Sequence, residues 1–266
     1  MIEARIAGVG LLGPGLSGWP DARDVFAGNV PLVPAAVEAP TPEGLSPRER
    51  RRTSPAVRLA LAVAQEAVDD AEDDAKDLPV VFGWAHGDGP VVQRILEELA
   101  TPERYVSPTD FHNSVHNVAV GYWSIASGSH QSCSCIAAAG DTFPASLLKA
   151  LAQVQCESRR VLLVVCEVPF LEPLNAVSPV GAPFGVALDL APAKDSDGLA
   201  RISAAFEPHA TGAATMPRTE GLRPLWDVNP AARAIPLLEA IARGEAAELR
   251  IPYGPNGQLV LSVSPC

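Results

Sequence analysis

The six consecutive apolar residues from Val161 to Cys166 are the strongest constraint on how this chain folds. A strand can be apolar at every position only when both of its faces are covered, so this one belongs inside a sheet with helices above and below. The preceding segment fits that demand. From Asp141 to Gln155, the residues Phe143, Leu147, Leu148, Leu151 and Val154 recur at helical spacing and present one apolar stripe. A helix leading into a buried strand points to an α/β layer architecture.

The flanking segments extend the pattern. Residues 2 to 12 read as a strand running into punctuation at Gly13, Gly15 and Gly18. Ser54 and Pro55 form an N-cap and first-turn pair. Val57, Leu61, Ala64 and Val68 then predict a helix with one buried stripe, ending in a solvated acidic run from Asp69 to Asp77. Leu78 to Trp84 predicts a short strand, and Val91, Ile95 and Leu99 mark an amphipathic helix after it. Phe184 to Leu190 and Leu199 to Phe206 read as a closing pair of strands joined by the polar turn Lys194 to Gly198. Residues 207 to 224, rich in Pro, Gly, Thr and Ala, predict an exposed connection. A helix around Ile235, Leu238 and Ile241 precedes two strands, Glu248 to Pro252 and Gln258 to Val263, linked by Pro255-Asn256-Gly257.

Composition closes off several function classes. At 266 residues, 47% hydrophobic with 19% charged describes a globular chain rather than a disordered one. No stretch approaches the roughly 18 apolar residues that span a bilayer, and the N-terminus lacks a basic region before an apolar run. A cytoplasmic location with no membrane contact is expected. Five cysteines, Cys133, Cys135, Cys156, Cys166 and Cys266, are odd in number and lack metal spacing, which argues against a disulfide framework and a metal site. A net charge of −11 argues against nucleic acid as a partner.

Locally, Arg48, Arg50, Arg51 and Arg52 gather where an acidic partner could dock. Ser46 and Glu49 equally fit the capping box of a solvated helix start. The Gly-x-Gly beginnings at Gly8 and Gly13 lack a third glycine, so no cofactor is implied. No Gly-x-Ser-x-Gly elbow of a serine hydrolase is present.

The densest motif is Asn117 to Phe143, NVAVGYWSIASGSHQSCSCIAAAGDTF. It resembles the nucleophile segment of the ketosynthases, which reads Asn-x-x-x-Gly-x-x-Ser-Ile-x-x-Gly, then a short strand, then an Ala-Cys step that opens a buried helix. Asn117, Gly121, Ser124, Ile125 and Gly128 fit the first part without gaps. Continuing in register puts Gly140 where the acylated cysteine stands in that family, and glycine has nothing to acylate. The reaction needs a thiolate, activated at a helix N-terminus whose amides also bind the oxyanion. Cys133 and Cys135 lie close by, but the alternation from Ser132 to Ile136 predicts a strand, in which both are read as small core residues.

The resemblance runs from the first strand to about Phe206, carried by ARIAGVGLLGPG, LSPRERRRTSPAVRLALAVAQEAV, SPTDFHNSVHNVAVGYWSIASG and PFGVALDL in that order. It implies a thiolase-like α/β fold. Residues 1–206 would form the N-terminal ketosynthase half in layered α/β/α architecture, and 207–224 a connection. Residues 225–266 would form a reduced C-terminal helix and hairpin packed on the same domain. A full ketosynthase carries two catalytic histidines in its second half, in a His-Gly-Thr-Gly-Thr loop and after an Asn-Ser-x-Gly-Phe-Gly-Gly-like turn. Neither motif occurs, and His86, His112, His116, His130 and His209 stand in other contexts.

Ser114 to Asn117 and Ala138 to Asp141 are similar to phrases of the short ketosynthase-like chain length factors of aryl polyene and xanthomonadin-type pigment clusters. This resemblance implies a non-catalytic subunit that pairs with an active ketosynthase, shapes its acyl tunnel and meets an acyl carrier protein. Gln131 to Ile136, with Gln131, Cys133, Cys135 and Ile136 as interface candidates, would pair across the dimer twofold; a strand internal to a monomer is the alternative. Asp110, His112 and His116 would mark the tunnel floor, or else are loop residues bonded within the chain. Arg48, Arg51 and Arg52 match the carrier-docking run. The competing reading is a stand-alone acyl-transfer enzyme using Cys135 or Cys133, with His116 or His130 as base.

Overall fold

The apolar run at 161–166 becomes β4 (Val161–Glu167), buried at all seven positions inside an eight-stranded sheet. In the computed structural model, which describes residues 1–195 and 197–266, the chain runs β1 (Ile2–Leu12), α1 (Trp19–Ala27), α2 (Pro47–Arg50) and α3 (Pro55–Asp70). It continues through β2 (Val80–Gly83), α4 (Gly89–Ala100), α5 (Pro108–Asn113), α6 (Val118–Ser127), β3 (Cys133–Ile136), α7 (Thr142–Glu157) and β4. The remainder is α8 (Leu174–Val177), β5 (Phe184–Pro192), β6 (Ala200–Glu207), α9 (Arg223–Val228), α10 (Ile235–Arg243), β7 (Ala247–Pro252) and β8 (Gln258–Pro265).

The strands lie in the order β3-β2-β4-β5-β1-β6-β8-β7. The first three are parallel to one another, and every later neighbour is antiparallel. One face carries α7, α1 and α10 over a core that includes Phe26, Phe143, Leu147, Leu163 and Leu238. The other carries α3 and α6 over Leu59, Phe82, Trp84, Trp123 and Val164. Two layers of helices on one sheet are what an all-buried β4 requires. Among the described residues no helix is long and apolar enough to cross a membrane.

Helix α3 starts where its sequence signals, with Ser54 Oγ accepting from the Val57 amide at 3.1 Å. It is buried well beyond one stripe, because it lies on β1, β5 and β4 while α6 packs against it. Two glycines allow that contact. A Cβ on Gly10 would sit 1.9 Å from the Val63 carbonyl oxygen, and one on Gly8 would sit 2.3 Å from that of Ala67. The acidic run that ends α3 is largely exposed, as expected, but two of its carboxylates also make long-range contacts. Asp70 accepts the Val9 amide at 2.9 Å, because β1 has unpaired amides within reach of the helix, and Asp73 pairs with Arg160 at 3.1 Å.

Two further expectations change. The strands β5 and β6 do not pair with each other; β1 lies between them, and the turn joining them contains Ser196, which lies outside the described residues. Leu99 of α4 is exposed together with Leu96, so that helix leaves two large apolar side chains uncovered beside Arg94 and Glu97. The terminal segment meets its prediction. A hairpin of β7 and β8 continues the sheet from β6, and α10 buries Ile235, Leu238 and Ile241.

The tight α3–β1 contact leads to a direct expectation. Gly10→Ala forces backbone movement in a packed core and is expected to cost about 3 kcal/mol, lowering the melting temperature by roughly 6–12 °C in a calorimetric scan. An unchanged melting temperature would show that α3 is free to lift from β1.

Candidate functional site

Parallel strands β3, β2 and β4 all end on the same edge of the sheet, and in open α/β sheets that edge is where sites are built. Three loops meet there: 137–141 after β3, 84–88 after β2 and 168–173 after β4.

The first loop is the turn that the motif singles out. Ala139 takes a left-handed φ of 47°, the strain expected of a sharp strand-to-helix turn, and it stands one residue ahead of Gly140. Thr142 Oγ1 clamps the turn by accepting the Ala138 amide at 3.1 Å and donating to the Ala139 carbonyl at 2.8 Å. Asp141 accepts the Gly254 amide at 2.8 Å, which ties the turn to the loop between β7 and β8. A Cβ on Gly140 would meet nothing within 4 Å. The turn before α7 therefore has room for a side chain, yet neither Ala139 nor Gly140 offers a nucleophile.

Strand β3 forms as predicted, at the outer edge of the sheet, but Cys133 is exposed and Cys135 half-buried rather than both lying in a core. The cause is the missing neighbour on that side. Val80 donates to the Ser132 carbonyl and Trp84 to the Ile136 carbonyl, each at 3.0 Å. Alternate residues of a parallel strand face one neighbour, so 132, 134 and 136 serve β2, and the backbone groups of Cys133 and Cys135 face outward. Gln131 leads into the strand with its amide held by Ser129 Oγ at 3.2 Å, and Ile136 is partly buried against the α7 side of the core.

Burial pushes the Cys135 thiol up to about 11, with Cys133 beside it adding to the shift, so it is protonated at neutral pH. Among the described residues no histidine is hydrogen-bonded to either thiol. His116 Nε2 lies 2.6 Å from the Trp84 carbonyl, while His130 is exposed.

The remaining sequence candidates have these positions. Asp110 pairs with Arg94 at 2.7 Å and ties α5 to α4, while His112 is exposed and sits edge-on to Tyr122 with centroids 5.8 Å apart. Arg48, Arg51 and Arg52 are exposed, with Arg52 no closer than 4.0 Å to Glu49. Arg50 differs from them: its guanidinium donates to the carbonyls of Leu45 at 2.7 Å and Glu43 at 2.6 Å and so braces the chain before α2.

Three residues that no motif announced also converge on this edge. Glu167, the last residue of β4, is fully buried and bonds His86, whose other ring nitrogen meets Ser178. A carboxylate closing a wholly apolar strand is the one sequence signal that marks the spot.

Comparison with known proteins follows the same lines. Residues 27–225 match the family model described as the β-ketoacyl synthase N-terminal domain. A search of curated proteins finds no match. Among solved structures, the chain is similar to the ketosynthase (ApeO) in complex with its chain length factor (ApeC) from Xenorhabdus doucetiae. That match has a TM-score of 0.74 at 22% identity, over 98% of this chain and 100% of that one. It is also similar to the ishigamide ketosynthase/chain length factor, with a TM-score of 0.72 at 14% identity, over 100% of this chain and 99% of that one. The fold is thus the thiolase-like ketosynthase fold, and it is matched along the whole chain.

The thiol geometry makes a prediction. After incubation with a malonyl or acyl carrier thioester, peptide mapping should find no acyl mass on Cys133 or Cys135; an adduct on either would favour the thiol-enzyme reading.

Proposed function

The chain belongs to the β-ketoacyl synthase N-terminal-domain family, and on that footing we propose that it is a cytoplasmic chain-length-factor-like subunit, catalytically silent in condensation. It pairs with an active ketosynthase and helps shape the acyl tunnel in aryl-polyene-type biosynthesis. The observation that carries this reading is the turn at Ala139–Gly140, strained and helix-opening but without a thiol. On this reading residues 1–206 are the ketosynthase-like half, 207–224 the connection and 225–266 the reduced remainder.

The partner is supported by the uncovered edge. The strand β3 has outward amides and carbonyls at Cys133 and Cys135 and carries neither charge nor proline, so its edge is free to pair with another strand. The helices that precede it, α4 to α6, leave Leu96, Leu99, Phe111 and Ile125 exposed, a density of apolar surface typical of an interface. Asp110, His112 and His116 lie in the same run and are our candidates for the tunnel floor. In the Xenorhabdus doucetiae structure the ketosynthase is bound to its chain length factor, which is the arrangement proposed here.

The test exploits the alternation in β3. Proline is tolerated on an edge strand where its missing N–H faces outward and is disruptive where a ladder bond is lost. Cys133→Pro should therefore leave the chain folded by circular dichroism and abolish co-purification with a co-expressed ketosynthase of an aryl-polyene-type cluster, whereas Ser134→Pro should unfold the strand itself. A stable monomer that ignores the ketosynthase in wild-type form would end the partner-subunit reading.

Carrier docking is tested separately. Reversing Arg48, Arg51 and Arg52 to glutamate should weaken carrier binding to the assembled pair at least tenfold at low salt, with the loss shrinking as salt screens the patch. Pairing with the ketosynthase should not change.

A further inference from the structure

At the ends of β2 and β4, a serine, a histidine and a glutamate from three separate segments form one hydrogen-bonded line. Ser178 Oγ lies 3.1 Å from His86 Nε2, and His86 Nδ1 lies 3.1 Å from Glu167 Oε1. Glu167 is fully buried, and its second oxygen accepts the Ala85 amide at 2.9 Å. The carboxylate is thereby fixed and holds the imidazole with its proton on Nδ1, which leaves Nε2 to accept from the Ser178 hydroxyl. The Glu167 carboxylate also raises the His86 pKa against the opposing effect of burial, as a base that must carry a proton requires.

The surroundings suit a reacting acyl group. Phe170 meets the imidazole edge to face with centroids 5.4 Å apart and packs over Gly89, so one side of the ring is dry. Ser178 is half-buried and the His86 side chain is 24% exposed, so the hydroxyl can be reached from outside. Leu171 and the 81%-exposed Val177 offer apolar surface beside it.

We propose that Ser178, His86 and Glu167 form a serine-nucleophile site that cleaves an activated acyl group, an oxyester or thioester, independently of the family's condensation chemistry. Ser178 Oγ attacks the acyl carbonyl while its proton passes to His86 Nε2. The alcohol or thiol leaves with that proton, and an acyl ester remains on Ser178. Water then attacks the ester and gives a proton to His86, which returns it to Ser178 Oγ as the carboxylic acid departs. Ser178 and His86 are the catalytic residues, and Glu167 is a positioning residue acting through the imidazole. The site does not depend on the partner-subunit reading, which stands or falls on co-purification.

The test uses the full chain with a fluorophosphonate probe, butyryl-N-acetylcysteamine as thioester and p-nitrophenyl butyrate as oxyester. The probe should label Ser178, and the label should vanish in Ser178→Ala without a change in melting temperature. Labelling should slow at least tenfold in His86→Gln and in Glu167→Gln, with partial rescue by Glu167→Asp, which a purely structural carboxylate would not produce. Should Glu167→Gln fail to fold, the partly exposed His86→Gln carries the same test. Turnover of the thioester alone assigns carrier-type substrates, and turnover of the oxyester assigns free esters. An unlabelled Ser178 in the folded wild type, or labelling that is indifferent to His86→Gln, overturns the proposal.

Discussion

The close contact of α3 with β1 is the constraint on which the rest of the sheet depends. Strand β1 pairs with β5 along most of its length but with β6 only as far as Ile6, so its later amides face no strand on that side. Helix α3 supplies the acceptors instead: Asp70 takes the Val9 amide at 2.9 Å and Glu66 the Leu11 amide at 2.7 Å. Glu66 also accepts the Trp19 amide at 2.6 Å, so one carboxylate fixes the end of β1 and the start of α1. Desolvation raises the pKa of both acids, and the strand amides counter it. Gly8 and Gly10 are what let the helix backbone come that near, since buried amides left without an acceptor would be costly.

With β1 held in the antiparallel part of the sheet, the three parallel strands are left at the other end, and their loops gather on one edge. That placement gives the turn at Gly140 its neighbours, and it leaves β3 with a backbone edge that no strand among the described residues covers. The two consequences are linked. The strand that leads into a turn without a thiol is also the edge strand of the sheet, with the backbone groups of Cys133 and Cys135 turned outward.

Much of the layer architecture was legible from residue pattern. The apolar run at β4, the cap at Ser54, the stripe of α7 and the closing hairpin all depend on local periodicity and capping, which a sequence states directly. The strand character of β3 and the absence of a thiol at Gly140 were legible for the same reason. The pairing of β5 and β6 on either side of β1 was not, because strand neighbours are chosen by packing across long sequence separations. Nor was the exposure of Cys133 and Leu99, which follows from the absence of a covering element among the described residues.

The sequence by itself therefore determined the element types, the layered class and the absence of a thiol at Gly140, since each is written in residues close together along the chain. Tertiary structure alone decided which strand edge stays open. It also turned Arg50 into a backbone brace while Arg48, Arg51 and Arg52 face solvent, and it brought Ser178 and Glu167 to His86 from 92 and 81 residues away. Hydrogen bonds of that reach exist only once the sheet has set the ends of β2 and β4 side by side.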